Sequence, residues 1–144
     1  MWFITERYKL LLLLLFSFVS FQGVCCLCDP LPIKKEIKRT KYIIRCSIKT
    51  LLDTTDIYNN PVSVNEREGS YEVLVTINEP YKWQGKKPKE IKISSTFSSC
   101  DMFFKKNEEY ILFLNKYKGK YYIQFCSYNM QIDNAEHVIK ALRD

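Results

Sequence analysis

Five segments alternate apolar and polar positions with period two, the signature of half-buried strands. Tyr42 to Thr50, "YIIRCSIKT", sets Ile44, Cys46 and Ile48 on one face and Ile43, Arg45 and Ser47 on the other. Tyr71 to Glu79, "YEVLVTINE", places Tyr71, Val73, Val75 and Ile77 together, and Pro80 is expected to end that strand. Glu90 to Ser94 is a shorter strand with Ile91 and Ile93 on one side. Tyr110 to Asn115, "YILFLN", and Lys120 to Cys126, "KYYIQFC", flank the turn "KYKG" and read as a hairpin. The period then changes. From Asp133 to Leu142, Ala135, Val138, Ile139 and Leu142 recur at helical spacing, with Asp133 or Asn134 as the expected cap.

Between the first two strands lies Leu51 to Ser70, which is long for a connection in a small domain and carries the turn formers Asn59-Asn60-Pro61 and Gly69. It reads as either a functional loop or an extended hairpin. Five short strands, one long first connection and a terminal helix predict an all-β domain with short helices. The expected shape is a five-stranded Greek-key barrel of the oligonucleotide/oligosaccharide-binding type. A β-sandwich would ordinarily need about seven strands.

The amino-terminal segment changes the picture of where the chain works. Arg7 and Lys9 precede the apolar run Leu10 to Phe21, "LLLLLLFSFVSF", an arrangement typical of a secretory signal. Ser17, Ser20, Gln22 and Gly23 dilute that run before it reaches the roughly 18 apolar residues of a membrane span. Cleavage after Cys25 puts the small residues Cys25 and Gly23 in the minus-one and minus-three subsites. Cleavage one residue earlier puts Val24 and Gln22 there, which fits less well. The expectation is a signal peptide over residues 1–25 and a single exported domain over residues 26–144, extracellular, or periplasmic or surface-bound in a bacterium. It is not membrane-spanning once the signal is removed.

Losing Glu6, Arg7 and Lys9 lowers the formal charge from +6 to +5, a mild basicity. The chain has six cysteines, and in an exported domain they read as a disulfide framework. Six cysteines allow 15 pairings, and spacing alone does not choose among them. With Cys25 removed, one thiol is left over. Cys46, on the apolar face of the first strand, is either a buried inert thiol or the site of a bridge to another chain.

Enzymatic chemistry finds little purchase. His137 is the single histidine, so neither a histidine zinc site nor a catalytic triad with a second histidine can be built. Glu108 and Glu109 are adjacent and would face opposite sides of a strand, which gives no glycosidase-like pair. "CCLC" is accompanied by no further Cys-x-x-Cys pair and no nearby histidine to complete a thiolate metal site, and export argues for oxidation. The chain is expected to be no enzyme and to need no cofactor. Two basic clusters, Lys34, Lys35, Lys38, Arg39 and Lys41, and Lys82, Lys86, Lys87, Lys89 and Lys92 beside Tyr81 and Trp83, read first as solvated lysine-rich loops. A sulfated glycan is a second partner for them, and export argues against nucleic acid.

Taken in order, several of these segments resemble the tissue inhibitors of metalloproteinases, within the wider netrin-like group. "CLCDP" at Cys26 to Pro30 fits that family's amino-terminal Cys-x-Cys-x-Pro. "KYIIRCSIK" is similar to its first strand, and "DIYNNPV" at Asp56 to Val62 to the loop that follows. "SSC" at Ser98 to Cys100, then "KKNEEYILFLNK" and "YYIQFC", look like its third cysteine-bearing segment and its last two strands. The resemblance implies disulfides Cys26 to Cys100 and Cys28 to Cys126. It implies inhibition of a zinc metalloprotease, with the amine and carbonyl of Cys26 on the protease's zinc and Leu27 in its specificity pocket. The other contacts implied are Cys28, Asp29, Pro30, Ile57, Tyr58, Ser99 and Cys100. The chain departs from the well-known members in having Lys38 where a third bridge would begin, no cysteine after Cys126, and Leu27 where a smaller threonine or serine is usual. The alternative function is a netrin-like module that binds an extracellular protein or sulfated glycan without touching zinc.

Overall fold

The computed structural model describes residues 28–53, 68–96, 98 and 100–144. Along the chain run α1 (Ile33–Arg39), β1 (Tyr42–Leu51), β2 (Gly69–Ser70), β3 (Val73–Lys82), β4 (Glu90–Ile93), β5 (Phe104–Lys105), β6 (Glu109–Tyr117), β7 (Lys120–Ile123) and β8 (Met130–Gln131), then a 3₁₀ turn (Ile132–Asn134) and α2 (Glu136–Arg143). Five strands pair in the order β1-β3-β4-β7-β6, and β6 returns to β1, so the sheet closes on itself. All contacts are antiparallel except β4 with β7, which meet in parallel at Ile93 and Tyr121. This is the Greek-key barrel expected of the oligonucleotide/oligosaccharide-binding shape.

Closure requires a strand that serves two neighbours and bends between them. β1 does so, pairing with β3 and with β6, and its register with β3 slips between Ile43 and Ile44, Arg45 and Cys46, and Ile48 and Thr50. Ile44, Cys46, Ile48 and Leu51 point inward with Val73, Val75, Ile77, Ile91, Ile93, Phe104, Tyr110, Leu112, Leu114 and Ile123. Tyr110 is fully buried yet keeps a polar partner, since its hydroxyl accepts the Lys105 N–H at 2.8 Å. Cys46 is a buried free thiol, and burial, aided by the negative Glu109, pushes it up to about 12. It is protonated and shielded at any physiological pH, as a small core residue would be.

Ile43, on the polar-looking face of β1, is also fully buried. It joins Ile111, Phe113, Ala135 and Val138 in a second core outside the barrel, roofed by Ile33 and Ile37 of α1 and Ile139 and Leu142 of α2. The two helices therefore cover one outer face of β1 and β6, which a pure period-two reading assigns to solvent.

Several local expectations change. β3 continues through Pro80 to Lys82. Pro80 pairs with Ile44 of β1 beside the register shift between Ile43 and Ile44, and such an irregularity is where a strand tolerates a residue without an N–H. β7 stops at Ile123, and the chain turns away at Cys126, whose φ is +54°. The β6–β7 connection is the two-residue turn Lys118-Gly119, both with positive φ, which matches the twist of a tight hairpin. The terminal helix begins at Glu136 after the 3₁₀ turn, with no side-chain cap from Asp133 or Asn134. Lys34, Lys35, Lys38 and Arg39 lie on helix α1, not in a loop.

Candidate functional site

The segment that begins the described chain is held at both ends. Cys28 is bonded to Cys126 across 98 residues of sequence, with Cα atoms 4.9 Å apart. Asp29, Pro30, Leu31 and Pro32 follow, all exposed, and the Leu31 carbonyl accepts the Tyr128 hydroxyl at 2.8 Å. Pro32 then opens α1, its carbonyl taking the N–H groups of Lys35 at 2.8 Å and Glu36 at 3.1 Å. Prolines at 30 and 32 remove two donors that a surface segment would otherwise leave unpaired, and both restrict φ.

A second tether joins α1 to the strand end that carries Cys126. Glu36 is completely buried in a helix of lysines. Its carboxylate accepts a hydrogen bond from Gln124 Nε2 and another from Arg39 Nη2 at 3.1 Å. Arg39 Nε also lies 2.8 Å from Oε2 as an ion pair, without the alignment of a hydrogen bond. Thr40 Oγ1 closes the helix on the Glu36 carbonyl at 2.8 Å. Gln124 is fixed in turn: its N–H reaches the Phe113 carbonyl at 2.7 Å, and its own carbonyl accepts Asn129 Nδ2 at 2.7 Å. A buried charge is tolerated only when satisfied in this way. Sequence reading missed Glu36, Gln124 and Asn129; the one signal was an acidic residue in an otherwise basic amphipathic stretch.

Cys100 is also disulfide-bonded, and its partner lies outside the described residues. Its loop is organised by Asp101. One carboxylate oxygen accepts the Ser95 hydroxyl at 2.6 Å and the N–H groups of Thr96 at 2.9 Å and Ser98 at 3.2 Å, while the other accepts the Thr96 hydroxyl at 3.0 Å. The Cys100 N–H reaches Ser98 Oγ at 3.3 Å.

The long connection after β1 is gathered at its base by Asp53, whose carboxylate accepts the N–H groups of Tyr71 at 2.7 Å and Glu72 at 3.2 Å. Glu72 then reaches across, accepting the Ser95 N–H at 3.2 Å and pairing with Lys92 at 2.9 Å. Asp53, Glu72 and Asp101 thus form a relay of carboxylates linking the loop base to the Cys100 loop. Beside it, Gly69 of β2 pairs with Lys105, and a Cβ at Gly69 would stand 2.3 Å from the Phe104 carbonyl oxygen and 2.5 Å from the Phe103 ring. Phe103 is 45% exposed and meets the Tyr71 ring edge-on at 5.2 Å.

Register explains the convergence. Leu51 pairs with Val73 and Val73 with Ile93, so the long loop and the Cys100 loop leave adjacent strand ends. β7 runs parallel to β4, so Cys126 lies past the same end of the barrel. Among the named site residues, Cys28, Asp29, Pro30 and Cys100 fall in these segments. Cys26, Leu27, Ile57, Tyr58 and Ser99 lie outside the described residues. Among the described residues, no group of three or more His, Cys, Asp or Glu could hold a metal, and no helix is long and apolar enough to cross a membrane.

The second basic cluster is dispersed. Lys82 caps α1 through the carbonyls of Ile37 at 2.8 Å and Lys38 at 2.9 Å, Lys92 pairs with Glu72, and Lys86, Lys87 and Lys89 stay exposed. No family model matches the sequence, and no curated protein gives a significant match to it.

Proposed function

We propose that the processed protein inhibits zinc metalloproteases from outside the cell, using its first residue as a zinc ligand. In this reading the chain starts at Cys26, whose α-amine and backbone carbonyl bind the protease's zinc. A catalytic zinc keeps one coordination position for the attacking water, and an amine-carbonyl pair displaces that water and leaves no nucleophile. The amine must be neutral to donate. A free α-amine titrates near 7.7 to 8.0, so binding releases a proton and tightens as pH rises toward about 8. Leu27 enters the primary specificity pocket, where burying its side chain contributes roughly 1.5 to 3 kcal/mol. Asp29, Pro30, Ile57, Tyr58, Ser99 and Cys100 supply the surrounding contacts.

The observation that carries the reading is the double fixing of the segment just after Cys26: Cys28 is crosslinked to Cys126, and α1, which begins five residues further on at Ile33, is bound to Gln124 through Glu36. A chelating backbone gains affinity from being rigid before it binds. The disulfide at Cys100, which we assign to Cys26, would fix the chelating residue itself. The test is titration of a panel of zinc endopeptidases with the secreted chain, after amino-terminal sequencing has shown that it begins at Cys26. Stoichiometric loss of activity in at least one enzyme is expected. Full activity of every enzyme at micromolar protein overturns the proposal and leaves a binding module.

A further inference from the structure

The net charge of the chain is mild, but its lysines are not spread evenly over the barrel. Three segments converge on the end away from the Cys100 loop: residues 38–42 lead into β1, residues 82–89 leave β3, and residues 114–121 form the β6–β7 hairpin. None of the three contains an aspartate or a glutamate. Arg39 and Lys82 are already engaged, the first by Glu36 and the second by the carbonyls of Ile37 and Lys38. Lys41, Lys86, Lys87, Lys116, Lys118 and Lys120 remain, all exposed and none in an ion pair among the described residues. The acids that flank these segments in sequence have other partners: Glu36 is buried, Glu79 lies 3.8 Å from Arg143, Glu90 2.7 Å from Lys49 and Glu109 2.6 Å from Arg45. The hairpin also projects. β6 pairs with β1 only as far as Leu114 but with β7 as far as Tyr117, so its tip stands about 10 Å beyond the start of β1. There Tyr117 is 63% exposed, the most exposed large apolar side chain among the described residues, and Lys118 Nζ lies 5.3 Å from the centre of its ring.

We propose that this end of the barrel docks on an anionic phospholipid bilayer, with the Tyr117 ring at the headgroup level and the six lysines over the negative surface. Two observations favour a bilayer over a soluble polyanion. The cations come from three segments around an end with a projecting tip, so they face a plane, whereas a polyanion strand is held by a groove that tracks it. An exposed tyrosine among lysines also suits the boundary between water and hydrocarbon, where the ring enters the apolar side while its hydroxyl and the ammonium groups stay wet. The platform is stiff, because one aromatic from each segment joins the others. Trp83 meets Tyr42 edge-on at 5.0 Å and lies 5.4 Å from Tyr121, Tyr42 meets Tyr121 at 5.5 Å, and the Trp83 indole N–H bonds the Lys86 carbonyl at 3.3 Å. The lysines are therefore presented together without an ordering step on contact. Each lysine held close to an anionic leaflet strengthens binding about fivefold. The proposal stands independently of protease inhibition: Cys28, Cys126 and Cys100 lie toward the other end of the strands, so a docked protein turns that end to solution.

The probe is vesicles of phosphatidylcholine with about one-third phosphatidylglycerol, titrated into the folded chain. The unaltered protein is expected to bind them at least about tenfold more tightly than pure phosphatidylcholine vesicles, and to be released as added salt shortens the screening length. Lys116→Ala/Lys120→Ala should weaken binding about 25-fold, two lysines at about fivefold each. Lys34→Ala/Lys35→Ala, an equal loss of charge on α1, should stay within about threefold. Tyr117→Ser should weaken binding by at least about threefold and leave its salt dependence unchanged. A headgroup-spin-labelled lipid should broaden the amide signals of Gln84 to Lys87 and Lys116 to Lys120 in the unaltered protein and spare Asp101, a readout that needs no variant to fold. Absence of vesicle binding, equal weakening in the two double variants, unchanged binding by Tyr117→Ser, or broadening centred on other residues would overturn the assignment. So would a sulfated polysaccharide or short single-stranded DNA that binds the same lysines more tightly than the vesicles do, since the end of the barrel would then be a site for soluble polyanions.

Discussion

Replacing both Cys28 and Cys126 with alanine removes the clamp on which the proposed inhibitory geometry depends, and the magnitude follows from chain length. The bridge spans 98 residues. If it were the sole crosslink, the chain-entropy account gives about 4.7 kcal/mol for a loop of that size. If Cys100 is already tied to Cys26, the loop that the second bridge closes is much shorter, running from Cys28 back to Cys26 and on from Cys100 to Cys126. For about 28 residues the same relation gives roughly 3.6 kcal/mol. Urea unfolding followed by tryptophan fluorescence reads the loss directly, because Trp83 packs against the barrel core. With a slope near 1.5 kcal/mol per molar, the midpoint should fall by about 2 to 3 M. Because α1 keeps its second tether through Glu36 and Gln124, the variant should refold with its helix in place. A loss of less than about 1 kcal/mol would refute the reasoning, since the amino-terminal segment would then be ordered without the bridge.

Other expectations are local. Gly69→Ala places a Cβ against the backbone oxygen of Phe104, which cannot swing away, so thermal unfolding should show a loss of about 1–3 kcal/mol; an unchanged midpoint would mean that β2 and β5 separate at no cost. Glu36→Ala leaves Gln124 Nε2 without its acceptor in a buried site, and about 1–3 kcal/mol should be lost in the same assay; a neutral effect would contradict the tether. Glu109 is held below its ordinary carboxyl range, first by the hydrogen bond from Arg45 and also by those from Ser47 and Asn78. A depressed carboxyl stabilises the fold above its unfolded value of about 4.5, and that stability drains away as pH falls from there through the lower folded value. Glu109→Gln should therefore flatten the acid limb of a stability-pH profile, and an unaltered limb would count against it.

How far the sequence spoke for the structure depended on what each segment had to bury. The five barrel strands were legible because Ile44, Cys46 and Ile48, or Val73, Val75 and Ile77, share one wet-or-dry choice per residue. Helix α1 was not, because its apolar side is only Ile33 and Ile37 and its most buried residue is Glu36, which composition alone sends to solvent. Ile43 misled for the opposite reason: its face of β1 looks polar at Arg45 and Ser47, but helices from both ends of the described chain cover it. β2, β5 and β8 are two residues each, too short for any period to register. β7 looked longer than it is because "QFC" continues the alternation of "KYYI" into a turn set by Cys126. At the site, the cysteines were visible but their pairing was not a matter of spacing, and Cys28 with Cys126 was named through resemblance. Asp53, Glu72 and Asp101 carry no motif, since what defines them is the set of backbone N–H groups they face.

The central claim is that an unblocked amine at Cys26 works as a metal ligand, and it is tested most directly by adding one alanine ahead of Cys26 and measuring the inhibition constant for a protease that the unextended chain blocks. The account predicts inhibition at least a hundredfold weaker, with the urea midpoint unchanged because the crosslinks and the barrel are untouched. Equal inhibition by the extended chain would contradict it.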